Sequence, residues 1–330
     1  MRPGPQSAFD AAGSAARVTG DLFWYFLIPL AVIFLIVIAI AIISIFRRHR
    51  GIEQEPLEGT HRPSAQTERR LTRVVTGASV LTLLILLGFI VASVATGKAI
   101  SGRAMPSNAI TIEVSASQWW WNIHYLNDNA SLILTTANEI HVPVGRAVLI
   151  RGVSQDVIHS FWVPSLIGKR DLIPSRVTTA WFTAEREGRF RGQCAEFCGL
   201  QHAHMALWVV AETPEKFDHW MKAQLADAAN PSTPSEQAGE KVFLDKGCSL
   251  CHTIRGADVE GLIAEGQVAP DLTHLASRMT IAAGTLPNNR GNLGGWITDP
   301  QSIKPGNHMA TIPLAAAELQ PLLDYLGSLK

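Results

Sequence analysis

The hydrophobic positions of this chain fall into three textures. Residues 22–46 are almost continuously apolar, interrupted mildly at Pro29 and Ser44, and residues 74–96 repeat the pattern with Val, Leu, Ile and small residues. At about 1.5 Å per residue, either run can cross a hydrocarbon core of roughly 30 Å, which predicts a transmembrane helical hairpin. A buried core helix is the alternative for such a run, and the absence of charge over that length argues against it. From about Pro106 the texture becomes short stretches rich in Val, Ile, Thr and Trp. Stretches 110–114, 140–142, 147–153, 177–183 and 206–211 read as strands, with turn signals at Asn127-Asp128-Asn129 and Pro143-Val144-Gly145. Regularly spaced short strands predict an antiparallel β-sandwich. Past Thr213, Phe217, Trp220, Met221 and Leu225 recur at helical spacing, and residues 240–247 and 314–329 read as helices of a final all-α unit.

Domains follow from these shifts. Residues 1–100 form an N-terminal tail and the hairpin, 101–229 the sandwich with its following helix, 230–235 a Pro/Ser/Thr linker, and 236–330 the last domain. The first 21 residues, rich in Ala, Gly and Ser, read as a flexible tail without a signal-peptide core or a lipidation cysteine.

Charge adds orientation. The segment between the apolar runs carries Arg47, Arg48, Arg50, Arg62, Arg69, Arg70 and Arg73, whereas the opposite flanks carry Arg2, Arg17, Lys98 and Arg103. The positive-inside rule puts that segment in the cytoplasm of a bacterial plasma membrane, and both termini and everything after Ser101 on the periplasmic side. A chain of 330 residues with 47% hydrophobic residues and a formal net charge of +0 suits several domains and offers no excess positive field for nucleic acid.

The chemistry concentrates in residues 193–205, Gln-Cys-Ala-Glu-Phe-Cys-Gly-Leu-Gln-His-Ala-His-Met, which place Cys194, Cys198, His202 and Met205 on one loop. Thiolates, imidazole and thioether favour copper over magnesium or calcium. A mononuclear site needs one cysteine; the second lets both sulfurs bridge two coppers, each completed by one histidine, and His159 at the end of an apolar run supplies the upstream one. A disulfide or a structural zinc site is the alternative for a Cys/His cluster, and the thioether of Met205 argues against zinc.

The pattern Cys194-x-Glu196-x-Cys198-x-x-x-His202-x-x-Met205, preceded by Asp156-Val157-Ile158-His159-Ser160-Phe161, resembles subunit II of haem-copper cytochrome c oxidases. The resemblance implies a cupredoxin-like sandwich and a binuclear CuA centre. In it Cys194 and Cys198 bridge, His159 and His202 each complete one copper, Met205 is axial on one ion, and the Glu196 carbonyl is axial on the other. It also implies a magnesium site, shared with subunit I, toward which the Glu196 side chain points. Lys169-Arg170-Asp171-Leu172-Ile173-Pro174-Ser175-Arg176 is similar as well, with Ser175 where the family usually has glycine. Glu68 resembles in position a glutamate at the mouth of a proton channel, although the Trp-Thr and Pro that usually follow are absent; a solvated charge is the alternative. In Gln118-Trp119-Trp120-Trp121, Trp119 matches the family's point of electron uptake, whereas Trp121 reads as a core residue.

Cys248-Ser249-Leu250-Cys251-His252 is the signature of covalent c-type haem attachment, with His252 as an iron ligand. Met309, in Lys304-Pro305-Gly306-Asn307-His308-Met309, resembles the axial methionine of small cytochromes c, with His308 as the alternative ligand. Pro270 matches the proline whose carbonyl holds the axial histidine's ring proton. Four cysteines are thus shared between copper and haem, leaving none for a structural disulfide. Together the resemblances imply an oxidase subunit II fused to a cytochrome c, of the caa type. It would be the electron-input subunit of a proton-pumping oxidase whose oxygen-reducing site lies elsewhere. Implied partners are oxidase subunits I and III, membrane lipid, and cytochrome c or a quinol–cytochrome c reductase as donor. A CuA subunit of another reductase, for instance of nitric oxide, and a copper-handling assembly protein are the alternatives.

Overall fold

The computed structural model describes residues 4–49, 64–101, 106–259 and 261–330; Arg2, Arg50, Arg62 and Arg103 of the orientation argument lie outside them. Two units result, Val18–Ala104 and Met1–Arg17 with Met105–Lys330.

The first unit holds most of two long helices, α1 (Ser14–His49) and α2 (Ala65–Ser101). At 36 and 37 residues each extends beyond its apolar run, about 54 Å at the helical rise. Their large apolar side chains are exposed along the length, Phe34 and Leu83 among them, which is the pattern of a lipid-facing surface. Phe26 stacks on Phe89 at 4.3 Å and joins the two helices.

The second unit begins with the sandwich. Its strands are β1 (Ile110–Ser117), β2 (Trp120–Leu126), β3 (Leu134–Ala137), β4 (Glu139–Pro143), β5 (Ala147–Ser154), β6 (His159–Val163), β7 (Ile167–Leu172), β8 (Thr178–Thr183), β9 (Gly188–Cys194) and β10 (Ala206–Glu212). They form two five-stranded sheets, in the orders β3-β2-β1-β5-β8 and β4-β10-β9-β6-β7. Most neighbours are antiparallel, as the spacing of the strands predicts, while β1 with β5 and β4 with β10 are parallel. Parallel neighbours need crossovers, and here the chain passes from one sheet to the other between them. Alternate residues such as Val114, Trp121, Ile123, Ile150, Phe161 and Val209 fill the interior.

The first residues are not a free tail. Ala12 is buried and its amide donates to the Ser165 carbonyl at 2.7 Å, Arg191 N donates to Pro5 O at 2.9 Å, and Gly13 bridges to Ala184. Asp10 pairs with Arg186 at 2.6 Å, and Arg17 with Glu185 at 2.7 Å. Residues 5–17 therefore form a strap across the sandwich. Composition pointed to flexibility because the strap is held chiefly by its backbone, which a small-residue segment brings close. Gly13 shows this: a Cβ there would collide with the Leu166 main chain.

A capped helix follows, α3 (Pro214–Leu225), with Thr213 accepting from Lys216 N and Phe217 packed on the sandwich core. Next, α4 (Pro234–Asp245) starts inside the linker at a capping box formed by Thr233 and Glu236. The last region adds two short ribbons to its helices, β11 (Thr253–Val259) with β12 (Leu262–Glu265) and β13 (Thr280–Ile281) with β14 (Leu286–Pro287). Its remaining helices are α5 (Arg290–Thr298), α6 (Pro300–Ile303) and α7 (Ala316–Ser328). Helices α4 and α7 cross at Gly239, where a Cβ would strike the Pro321 carbonyl, and Phe243, Leu322, Tyr325 and Leu326 close a second core.

Candidate metal and haem sites

The loop between β9 and β10 is built by pairing. Strands β9 and β10 are antiparallel neighbours, and Cys194 N donates to Met205 O at 2.9 Å to close the loop's base. Phe161 of β6 pairs with Cys194, and Ala195 N donates to Ser160 O, which carries His159 across 35 residues of sequence to the same point.

The donor atoms then converge. The sulfurs of Cys194 and Cys198 lie 3.7 Å apart, and both cysteines are free. His159 Nδ1 is 3.8 Å from Cys194 Sγ, His202 Nδ1 is 3.6 Å from Cys198 Sγ, Met205 Sδ is 3.9 Å from Cys198 Sγ, and the Glu196 carbonyl is 3.1 Å from Cys194 Sγ. Cys194, Cys198, His159 and Met205 are buried, His202 half so, and the Glu196 side chain points outward, exposed. Metal–sulfur bonds are about 2.3 Å, so two sulfurs at this separation can share an ion between them. One imidazole lies beside each sulfur, with the thioether on one side and the carbonyl on the other. That soft, two-sided set fits a pair of coppers.

Electrostatics agree. The contact with Cys198, against an opposing effect of burial, and contacts with His159 and the backbone hold Cys194 far below the usual thiol range; the same pairing pushes Cys198 up. A thiolate is thus ready at the site. Burial pulls the His159 ring down, but Cys194 and Asp156 outweigh it and the net shift is upward. Asp156 Oδ1 sits 2.8 Å from His159 Nε2, which leaves Nδ1 aimed at the sulfurs. Asp156 lay in the quoted motif without a role; a carboxylate three residues before a ligand-type histidine was its signal.

Trp119 donates from Nε1 to Cys198 O at 3.0 Å, and Gly199, at φ +113°, lets the loop press against its ring. Trp121 is fully buried in the sandwich core. Glu68 lies exposed in the first turn of α2. Ser175 has φ +62°, the left-handed region glycine adopts most readily.

In the last region, His252 Nδ1 is 2.7 Å from Pro270 O, so Nε2 is the free ring nitrogen. Burial, partly offset by that bond, lowers the ring's pKa and keeps it neutral, the form that ligates iron. Cys248 and Met309 both pack against the second core. Beside the free Cys248 and Cys251, the apolar Leu250 and Val268 are 79% and 74% exposed, apolar surface of the kind a haem would cover. His308 instead lies against Trp119, ring centroids 5.8 Å apart.

Sandwich and loop define a cupredoxin-like subunit II joined to a c-type cytochrome domain. Residues 124–212 match the family described as cytochrome c oxidase subunit II, periplasmic domain, and residues 236–330 match cytochrome c. The chain is 32% identical over 332 residues to cytochrome c oxidase subunit 2 of Alkalihalophilus pseudofirmus, covering 98% of this chain and 91% of that protein. It is 32% identical to the same subunit of Bacillus sp. strain PS3, covering 86% and 80%. The solved periplasmic domain of cytochrome oxidase subunit II from Bradyrhizobium japonicum is 29% identical, with a TM-score of 0.34, covering 37% of this chain and 96% of that one. The chain belongs to the cytochrome c oxidase subunit 2 family. It is a membrane-anchored part of a haem-copper oxidoreductase complex with periplasmic domains.

Proposed function

We propose that this chain is the electron-input subunit of a terminal oxidase, with a binuclear CuA centre on the β9–β10 loop and a covalent c haem in residues 236–330. The observation that carries the reading is the convergence of two free thiols 3.7 Å apart with an imidazole beside each. Bound there, copper and haem would supply one-electron transfer from a donor, cytochrome c or a quinol–cytochrome c reductase, toward the haem of subunit I, where oxygen reduction is coupled to proton pumping.

The chain's own residues perform the holding. Cys194 and Cys198 would hold both coppers through their thiolates, His159 and His202 would each hold one through a ring nitrogen, and the Met205 thioether and the Glu196 carbonyl would complete the set. Asp156 fixes the His159 ring, and the sheets keep all of them in place, so little rearrangement accompanies a change of charge. Cys248 and Cys251 would attach the haem, His252, its ring set by Pro270, would ligate the iron, and Met309 would supply the sulfur ligand. The exposed Glu196 carboxylate is free to reach a magnesium ion shared with subunit I. Trp119, bonded to the Cys198 carbonyl, is the relay residue. Helices α1 and α2 anchor the chain in lipid beside subunits I and III, with both termini periplasmic; Glu68 at the cytoplasmic end of α2 is the candidate for proton uptake.

The test is purification of the membrane complex with wild-type chain and with Cys198→Ser. Co-purification of a haem-copper oxidase large subunit, with cytochrome c-driven oxygen consumption that Cys198→Ser abolishes, supports the reading. A nitric-oxide-reducing large subunit, or unchanged oxygen consumption, contradicts it.

A further inference from the structure

The sandwich and the haem-attachment region meet over a surface that neither site requires. Arg278 Nη2 lies 3.3 Å from Thr136 Oγ1, and Met279 N donates to Glu139 Oε2 at 3.0 Å. Ala206 N, next to Met205, donates to Ala283 O at 2.9 Å, and Gln201 Nε2 on the copper loop donates to Pro305 O at 2.7 Å.

At the centre is Lys304. It is 3% exposed, and its ammonium donates to Trp119 O at 3.0 Å and to Ala282 O at 3.3 Å. Among the described residues no carboxylate pairs with it. A buried lysine without a carboxylate partner is costly, so it persists where its hydrogen bonds and its attraction to Cys198 matter. Burial lowers its pKa to about 8, partly offset by the nearby Cys198.

The backbone that receives it is also unusual. Ala282 and Ala283 have φ +52° and +55°, a left-handed conformation that alanine rarely adopts. Both turn their carbonyls to this surface, one to Lys304 and one to Ala206. Strain of this kind survives only where surrounding contacts fix it. The segment carrying Lys304 is rigid in turn: Asn307 Nδ2 donates to Lys304 O at 2.7 Å and to Pro300 O at 2.9 Å, and Met309 N donates to Asn307 Oδ1 at 2.8 Å. Holding Lys304 therefore holds His308 and Met309. His308 covers Trp119, which is 7% exposed.

We propose that Lys304 is the latch that docks the haem-attachment region on the copper loop, seating His308 against Trp119 and closing Trp119 to soluble electron donors. The proposal rests on the reading of the two sites given above. It makes Lys304 a positioning residue: it acts through the Trp119 carbonyl and supplies no ligand atom to either site, although its charge also acts on Cys198. Its consequence is that a protein donor reaches this chain at the haem region and not at the copper loop.

The test uses the full chain in detergent, wild type, Lys304→Met and Lys304→Arg. Hydrogen–deuterium exchange is read at the amides of Ala206 and Met279, which bond across the surface, in both metal-free and metal-loaded protein. Copper reduction after photoreduction of the haem is read in the loaded protein, as is the order in which soluble cytochrome c reduces haem and copper in stopped flow. The latch predicts that Lys304→Met speeds exchange at both amides, slows haem-to-copper transfer about tenfold, and lets soluble cytochrome c reduce copper without first reducing the haem. Lys304→Arg, which keeps the donor, retains most of the protection. Wild-type exchange and wild-type transfer in Lys304→Met overturn the latch, and so does copper reduction by soluble cytochrome c ahead of the haem in the chain with Lys304 intact. A chain without a shared-copper signal refutes the copper assignment instead, and exchange in the metal-free chain then still decides the latch.

Discussion

The indole Nε1–H of Trp119 and the side-chain amide of Gln118 both donate to one acceptor, the carbonyl oxygen of Cys198, at 3.0 and 2.8 Å. A buried aromatic ring is thereby fastened to the main chain of a cysteine on the copper loop, and any path through Trp119 reaches the Cys198 sulfur within a few bonds. Trp119→Phe keeps a ring and Gln118 still satisfies the carbonyl, so copper content should be unchanged. Copper reduction in stopped flow should slow by about tenfold, the scale on which small misplacements act. A wild-type rate would remove Trp119 from the path.

Asp156 tests whether the histidine needs its carboxylate partner. Its carboxyl is held below the usual range: the bonds from His159, Gln118 and Val157 prevail over burial, which acts the other way. Asp156→Asn should weaken copper binding about 10- to 100-fold in a competition titration, the usual effect of losing such a partner. Undiminished affinity would show that the sheet alone orients the ring.

Ser175 occupies a turn in which Arg176 N donates to Ile173 O at 3.1 Å, Pro174 stands before it, and its own φ is +62°. Ser175→Gly should relieve left-handed strain and stabilise the sandwich by about 1 kcal/mol. For a domain of this size that raises Tm by roughly 2–4 °C. A lower Tm would mean that the serine hydroxyl matters more than the backbone.

His141 lies between Glu139 and Glu212, at 3.2 and 2.8 Å, with its ring stacked on Trp220 at 4.1 Å. Burial lowers its pKa, but the two carboxylates outweigh that and the folded value is raised above 6.5. Its contribution is therefore complete below about pH 6.5 and is lost as pH rises through the raised folded value. Urea denaturation of the chain should show stability falling over that window, and His141→Gln should be less stable with the fall removed. A slope of the opposite sign, or one that survives the substitution, would exclude His141.

The sequence made the architecture legible where pattern and chemistry coincide. Uncharged runs gave both long helices, alternation gave five of the ten strands of the sandwich, and the loop spacing of Cys194, Cys198, His202 and Met205 put four donors on one turn. His159 was harder, because its place depends on the β6–β9 pairing, and pairing is a long-range property. The strap of residues 5–17 was misread because main-chain bonds leave little trace in composition. Lys304 looks like any surface lysine in sequence; only the docking of two regions buries it. The short ribbons of the haem region were invisible for a related reason, since strands of two to seven residues broken by glycine carry no period.

The measurement closest to the central claim is electron paramagnetic resonance of the full chain in detergent, loaded with copper and matured with haem, with both metals quantified. The account predicts one unpaired electron shared by two coppers, seen as a multiline hyperfine pattern, beside a low-spin c haem. A signal from a single copper, or no copper signal with zinc bound, would contradict it.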